Sequence, residues 1–192
     1  MEKKDPRYQA YIQILKEELI PAMGCTEPIA LAYAAAVARK TLGEMPDKVV
    51  VEASGSIIKN VKSVIVPNTG HLKGINAAAA AGIVAGDPDK KLEVIATVSQ
   101  EQIQQMKQFM EEVPIQVVHM EDGCTFDIIV TVFSGKSYAK VRIANFHTNI
   151  VLIEKNGEVL KSEAVSDDSE EGLTDRTLLD MEHIWDFAMT AD

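Results

Sequence analysis

The chain has 192 residues, 46% of them hydrophobic and 25% charged, enough for a sizeable globular core that needs no disulfide staple. Lys and Arg number 19 against 29 Asp and Glu, and a net charge of −10 argues against nucleic acid or an anionic membrane as partner, since both select clustered positive charge. Cys25 and Cys124 are too few for a secreted disulfide framework, no leader-like run follows Met1, and the Ala-rich apolar runs fall short of the roughly 20 residues of a membrane span, so a cytoplasmic protein is expected.

Tyr8, Tyr11, Ile12, Leu15 and Leu19 recur at helical spacing with Lys16, Glu17 and Glu18 between them, which predicts an amphipathic helix ended by Pro21. The bend from Pro21 to Gly24 delivers Cys25. Thr26 is a favourable N-cap, Glu27 puts negative charge in the first turn and Pro28 needs no donor there, so a second helix is expected over 26–42, closed by Gly43. Just ahead of that helix, backbone N–H groups and the macrodipole favour the Cys25 thiolate, the form that binds metal or attacks carbon. The competing reading is an inert core cysteine, because free Cys is among the most buried residue types.

Val49-Val50-Val51-Glu52-Ala53 reads as a strand; after Gly55, residues 56–66 fit either a short helix or further strand, with a helical turn over 57–61 and extended chain into Pro67 the favoured reading. Pro67-Asn68-Thr69-Gly70 is strong turn chemistry, and a second small-residue helix runs from Ile75 to Gly86. The two small-residue helices are expected to pack directly, bringing Cys25 and the 68–70 turn into one cleft. The stretch Gly70-His71-Leu72-Lys73-Gly74 lacks phosphate-loop spacing. As a turn opening a helix it suits carboxylate or phosphate capture, with an ordinary turn as the alternative.

Beyond Gly86-Asp87-Pro88-Asp89 the texture changes to a strand over 92–98, an amphipathic helix over 100–113 with Ile103, Met106, Phe109 and Met110 on one face, and strands over 115–120, 126–133, 137–144, 150–154 and 158–160. Asn156-Gly157 joins the last pair as a hairpin. A strand-helix-strand-strand-strand unit of this kind makes a mostly antiparallel sheet covered by helix, so the fold class expected is α+β, with Ala-rich helices packed on that sheet. Residues 1–91 read as a mainly helical segment bearing Cys25, and 92–165 as the sheet segment. Residues 163–172 read as an acidic loop and 173–192 as a last helix carrying the only tryptophan, Trp185, which suggests part of a longer protein.

Zinc is disfavoured, because the two cysteines are 124 − 25 = 99 residues apart and the four histidines are scattered. Cys124 reads as structural. His147, in Asn145-Phe146-His147-Thr148-Asn149, sits at a strand junction where it either holds the corner or transfers protons.

Three phrases carry a resemblance. They are Gly24-Cys25-Thr26-Glu27-Pro28-Ile29-Ala30-Leu31-Ala32; Lys59-Asn60-Val61 with Val66-Pro67-Asn68-Thr69-Gly70, Gly74 and residues 78–82; and His147-Thr148-Asn149-Ile150. In this order, along essentially the whole chain, they resemble the serine dehydratase-like family that includes L-cysteine desulfidase. Members are much longer and are similar to the oxygen-sensitive L-serine dehydratases, whose 4Fe-4S cluster leaves one iron open to substrate. Bacterial serine dehydratases place a glutamate three residues after the corresponding cysteine, whereas Glu27 is two after Cys25.

The resemblance implies the N-terminal part of an iron-sulfur-dependent lyase, eliminating sulfide from L-cysteine or water from L-serine to give pyruvate and ammonia. Cys25 would be one cluster ligand, the others lying in a C-terminal half that this chain lacks, so the chain alone would hold no cluster. Asn68, Thr69 and Gly70 are candidates for holding the carboxylate of a small amino-acid substrate, and Lys59 or His147 for proton transfer. A homo-oligomer is compatible with this reading. The alternative is a non-catalytic amino-acid-binding or assembly module of a larger protein.

Overall fold

The computed structural model describes residues 1–19, 21–165 and 173–191. Its helices are α1 (Pro6–Glu18), α2 (Thr26–Leu42), α3 (Gly55–Val61), α4 (Gly74–Ala85), α5 (Gln100–Glu112) and α6 (Met181–Thr190). The strands are β1 (Lys48–Ser54), β2 (Ile115–Met120), β3 (Asp127–Ser134), β4 (Ser137–Ala144), β5 (Ile150–Lys155) and β6 (Glu158–Ser162). Two compact units result, one of Ala22–Asp167 and one of Met1–Pro21 with Asp168–Asp192. No helix among the described residues is long and apolar enough to cross a membrane.

In the larger unit the six strands form one sheet in the order β2-β1-β3-β4-β5-β6, every neighbouring pair antiparallel except β1 with β2. The fold is α+β. Alternate residues Val49, Val51, Ala53, Ile128, Val130, Val132, Ala139, Val141 and Ile143 are all wholly buried, so one sheet face carries the core. Helix α2 packs on β3 and β4 and also on α4. A helix with neighbours on both sides has no use for a polar stripe, which explains its run of buried alanines. The two backbones come very close: a Cβ on Gly82 would lie 2.0 Å from the Ala32 carbonyl oxygen, and one on Gly86 2.7 Å from Ala36 Cβ. Direct packing of the two small-residue helices is therefore a feature of the fold.

Helix α5 begins with a reciprocal capping box, Gln102 N–H donating to Ser99 Oγ at 3.1 Å and Ser99 N–H to Gln102 Oε1 at 2.9 Å. Ile103, Met106 and Phe109 are its buried face.

Residues 92–98 are not the expected strand. Asp87 accepts from Asp89 N–H at 3.1 Å and caps a 3-10 turn over Pro88–Glu93, Lys91 takes a φ of 49°, and Asp87 N–H reaches Val94 O at 2.8 Å. These local bonds use the polar groups that a ladder would need. Leu92, Val94 and Ile95 are buried all the same, so their apolar pattern reported burial rather than extension. The strand beside β2 is β1, paired from Val49 with Ile115 to Ser54 with Met120, so residues 1–91 and 92–165 share one sheet.

In the smaller unit Phe187 of α6 meets Tyr8 and Tyr11 of α1 edge-on, with ring centroids 5.2 and 5.3 Å apart. Arg176 pairs with Glu17 at 2.7 Å and pulls its carboxyl down to about 2. The last helix is shorter than expected. Residues 176–178 form a separate 3-10 turn, and α6 starts only after Asp180, whose side chain accepts from His183 N–H at 2.9 Å. Of the expected acidic loop, residues 166–172 lie outside the described residues, as does Asp192 at the end of the expected helix.

Candidate functional site

The loop into α2 is built on a glycine. Gly24 has a φ of 94°, and a side chain there would lie 3.3 Å from Pro67 Cγ, so the chain reaches Cys25 while pressed against the 67–70 turn. One segment straps both loops down: Leu92 O accepts from Met23 N–H at 3.3 Å, while Ile95 O and Ala96 O accept from Asn68 Nδ2 at 3.0 and 3.2 Å. Residues 92–96, expected to lie in the sheet, thus position the site.

Cys25 is itself the N-cap, with no side-chain capping bond, and Thr26 is the first helical residue, one position later than its expected role as the cap. The Cys25 thiol is exposed, which removes the reading of an inert core cysteine. It donates to Glu27 Oε2 at 3.6 Å. Partial burial pushes the thiol up from its ordinary range, and the charge and hydrogen bond of Glu27 push it further. The expectation of a thiolate is corrected accordingly: partial burial first, and the neighbouring Glu27 carboxylate second, both favour the neutral thiol.

Glu27 is held from both sides. Its Oε1 accepts from Asn60 Nδ2 at 3.3 Å, and its Oε2 from Thr26 Oγ1 at 3.5 Å. Burial raises its pKa, but bonds from its own N–H, Asn60 and Cys25, with the proximity of His147, bring the carboxyl below its ordinary value. His147 lies between β4 and β5 in a corner fixed by Asn145 N–H donating to Phe126 O at 3.0 Å and Asn149 Nδ2 donating to Ala144 O at 3.0 Å. Its ring packs on Phe126 with centroids 4.4 Å apart. Burial pushes His147 below its ordinary value, against a smaller opposing pull from Glu27, and leaves a neutral imidazole at pH 7.

The structure thus gathers Cys25, Glu27, Asn60 and His147 from three distant stretches. Lys59 is exposed in the last turn of α3 beside Asn60, and its side chain makes no hydrogen bond or ion pair with the described residues. The side-chain donors of the turn serve the fold: Asn68 holds the strap, and wholly buried Thr69 donates to Val66 O at 2.8 Å. Gly70 is exposed with a φ of 66°, and a Cβ there would lie 3.0 Å from Ile103 Cγ2. Cys124 belongs elsewhere. It is half-buried between β2 and β3, and its N–H donates at 3.3 Å to Asp127, a wholly buried carboxylate paired with Arg142 at 2.6 Å. Glu27 had been read only as the first-turn charge of α2, and Asn60 had drawn no role from the sequence. The available signal was their place inside the two resembling phrases, one of them adjoining Cys25.

The chain is similar to UPF0597 proteins. It is 56% identical over 188 residues to one from Desulfitobacterium hafniense (strain Y51), a match covering 98% of this chain and 44% of the relative. A UPF0597 protein of Treponema denticola is 44% identical over 185 residues, covering 96% and 43% of the two chains. One from Fusobacterium nucleatum is 42% identical over 189 residues, covering 98% and 44%. The chain spans less than half the length of these relatives. No family model matches it, and no solved structure matches significantly.

Proposed function

We propose that this chain is the N-terminal part of an iron-sulfur-dependent lyase that removes sulfide from L-cysteine or water from L-serine, yielding pyruvate and ammonia. One observation carries the reading: the phrases that resemble the serine dehydratase-like family converge on an exposed Cys25 with Glu27, Asn60 and His147 around it and Pro67 against Gly24. The greater length of the UPF0597 relatives supports it too, as the remaining cluster ligands have a place to come from.

The residues fit one ligand of a cluster and not a whole one. Cys25 offers a soft, accessible sulfur donor, whereas a cluster needs about three or four protein ligands. When bound, the cluster supplies a Lewis-acidic iron that weakens the Cβ–S or Cβ–O bond. Cys25, open to solvent, gives up its proton to water when it acts as a ligand, and the Glu27 carboxylate beside it stays ionised. Neutral His147 takes the α-proton, its ring held in place by Phe126 and the 145–149 corner, and the more exposed Lys59 is the second candidate for proton transfer. The 68–70 turn shapes the wall of the site and offers backbone N–H groups to the substrate carboxylate. The aminoacrylate released hydrolyses to pyruvate and ammonia. We place this oxygen-sensitive chemistry in the reducing cytoplasm.

Iron and acid-labile sulfide in the complete protein after anaerobic purification, with pyruvate release from L-cysteine and L-serine, test the reading. A complete protein that binds amino acids but holds neither iron nor activity would instead be a binding module.

A further inference from the structure

Resting on that reading, we propose that the Glu27 carboxylate receives the α-ammonium group of the amino-acid substrate and makes the site selective against acids that lack it. Glu27 is half-buried, and every donor on it is neutral: Asn60 at 3.3 Å, Thr26 at 3.5 Å and Cys25 at 3.6 Å. Among the described residues it forms no ion pair with a lysine or arginine. A carboxylate that has lost part of its hydration without gaining a countercharge is an incomplete arrangement. A primary ammonium completes it, bringing three donors and charge-assisted bonds about twice as strong as neutral ones.

The helix macrodipole explains an acidic residue in the first turn of α2 but not the reach of Asn60 from α3. That bond holds one carboxylate oxygen while the other accepts from Cys25. An amino acid anchored there by its nitrogen is held beside the Cys25 thiol, which bonds the same carboxylate, and within electrostatic reach of His147, the groups to which cluster ligation and proton transfer are assigned. A site built around a hydrogen-bonded ammonium rejects the analogue lacking it, because the carboxylate is then left without its counterion.

The test uses this 192-residue chain, metal-free, titrated at pH 7 with L-serine and with 3-hydroxypropionate, which differ only in the ammonium group. NMR shifts of the Asn60 side-chain amide and the Glu27 backbone amide report binding. The expected result is a saturable shift with L-serine at an affinity about tenfold or more above that for 3-hydroxypropionate. Glu27→Gln should abolish the difference and Glu27→Asp partly restore it, with circular dichroism confirming that both variants fold. Equal affinities in the wild-type chain, unaltered serine binding in Glu27→Gln, or no saturable shift at all overturns the proposal. The lyase reading stands or falls separately, on iron and pyruvate in the complete protein: Glu27-dependent serine binding with no iron there would sink the lyase and keep this site.

Discussion

Replacing Gly82 by alanine should destabilise the protein although alanine is the better helix former. The propensity gain is about 1 kcal/mol for a helix interior. Against it, the new Cβ would lie 2.0 Å from the Ala32 carbonyl oxygen and 2.8 Å from its carbonyl carbon. The ordinary C···O contact distance is about 3.3 Å, so the helices must separate by roughly 1.3 Å, and backbone cannot swing aside as a flexible side chain would. A gap of about 0.5–1 Å already forfeits a quarter to a half of the dispersion well at each contact, and the wholly buried alanines of α2 and α4 share that seam. Overpacking costs of about 1–3 kcal/mol are usual, and the upper end applies to a backbone clash, leaving a net loss of about 2 kcal/mol. For a chain of this size that lowers Tm by roughly 4–8 °C, read from the far-UV circular dichroism melt and checked by the urea midpoint. A Gly82→Ala protein as stable as the parent, or more so, would refute the close approach of α2 and α4.

Asp127→Ala should cost about 3–5 kcal/mol in urea denaturation, since it strands the Arg142 guanidinium beside a wholly buried position; a loss below about 1 kcal/mol would show the pair to be dispensable. In the complete protein Cys25→Ser should remove iron and pyruvate release with an unchanged circular dichroism spectrum. Cys124→Ser should do neither and cost at most about 1–3 kcal/mol, so full activity in Cys25→Ser would reduce that residue to a helix cap. The isolated 192-residue chain should be colourless, and stoichiometric iron and sulfide in it would show that one exposed cysteine suffices. His147 should titrate in the NMR spectrum below its unfolded value of about 6.5, because burial disfavours its cation. Between the folded and unfolded values the unfolded chain binds more protons, so this contribution to stability is complete above about pH 6.5 and declines as the pH falls through the folded value. Glu27→Gln should lower the midpoint further by removing an attracting charge; a wild-type midpoint at or above 6.5 would contradict the burial.

Elements whose ends are set by a few neighbouring residues were legible in the chain. Gly43 closes α2 with a φ of 92°, Ser99 and Gln102 open α5, and Asn156-Gly157, both at positive φ, join β5 to β6, because each signal acts within four residues of itself. The same locality explains the failures. An apolar pattern over 92–98 records that those side chains are buried, but only the bonds to Met23 and Asn68 decide that the backbone serves as a strap rather than a strand. The interior place of β1, parallel to β2 and antiparallel to β3, depends on ladders between residues more than 60 positions apart, which no local pattern encodes. In the candidate site, the position of Cys25 ahead of a helix was written in Gly24-Cys25-Thr26-Glu27-Pro28. Its protonation was not, because the charge beside the thiol is steered by Asn60 from another helix and its hydration by how the two loops close around it, and electrostatic energies follow distance and burial in space rather than separation along the chain.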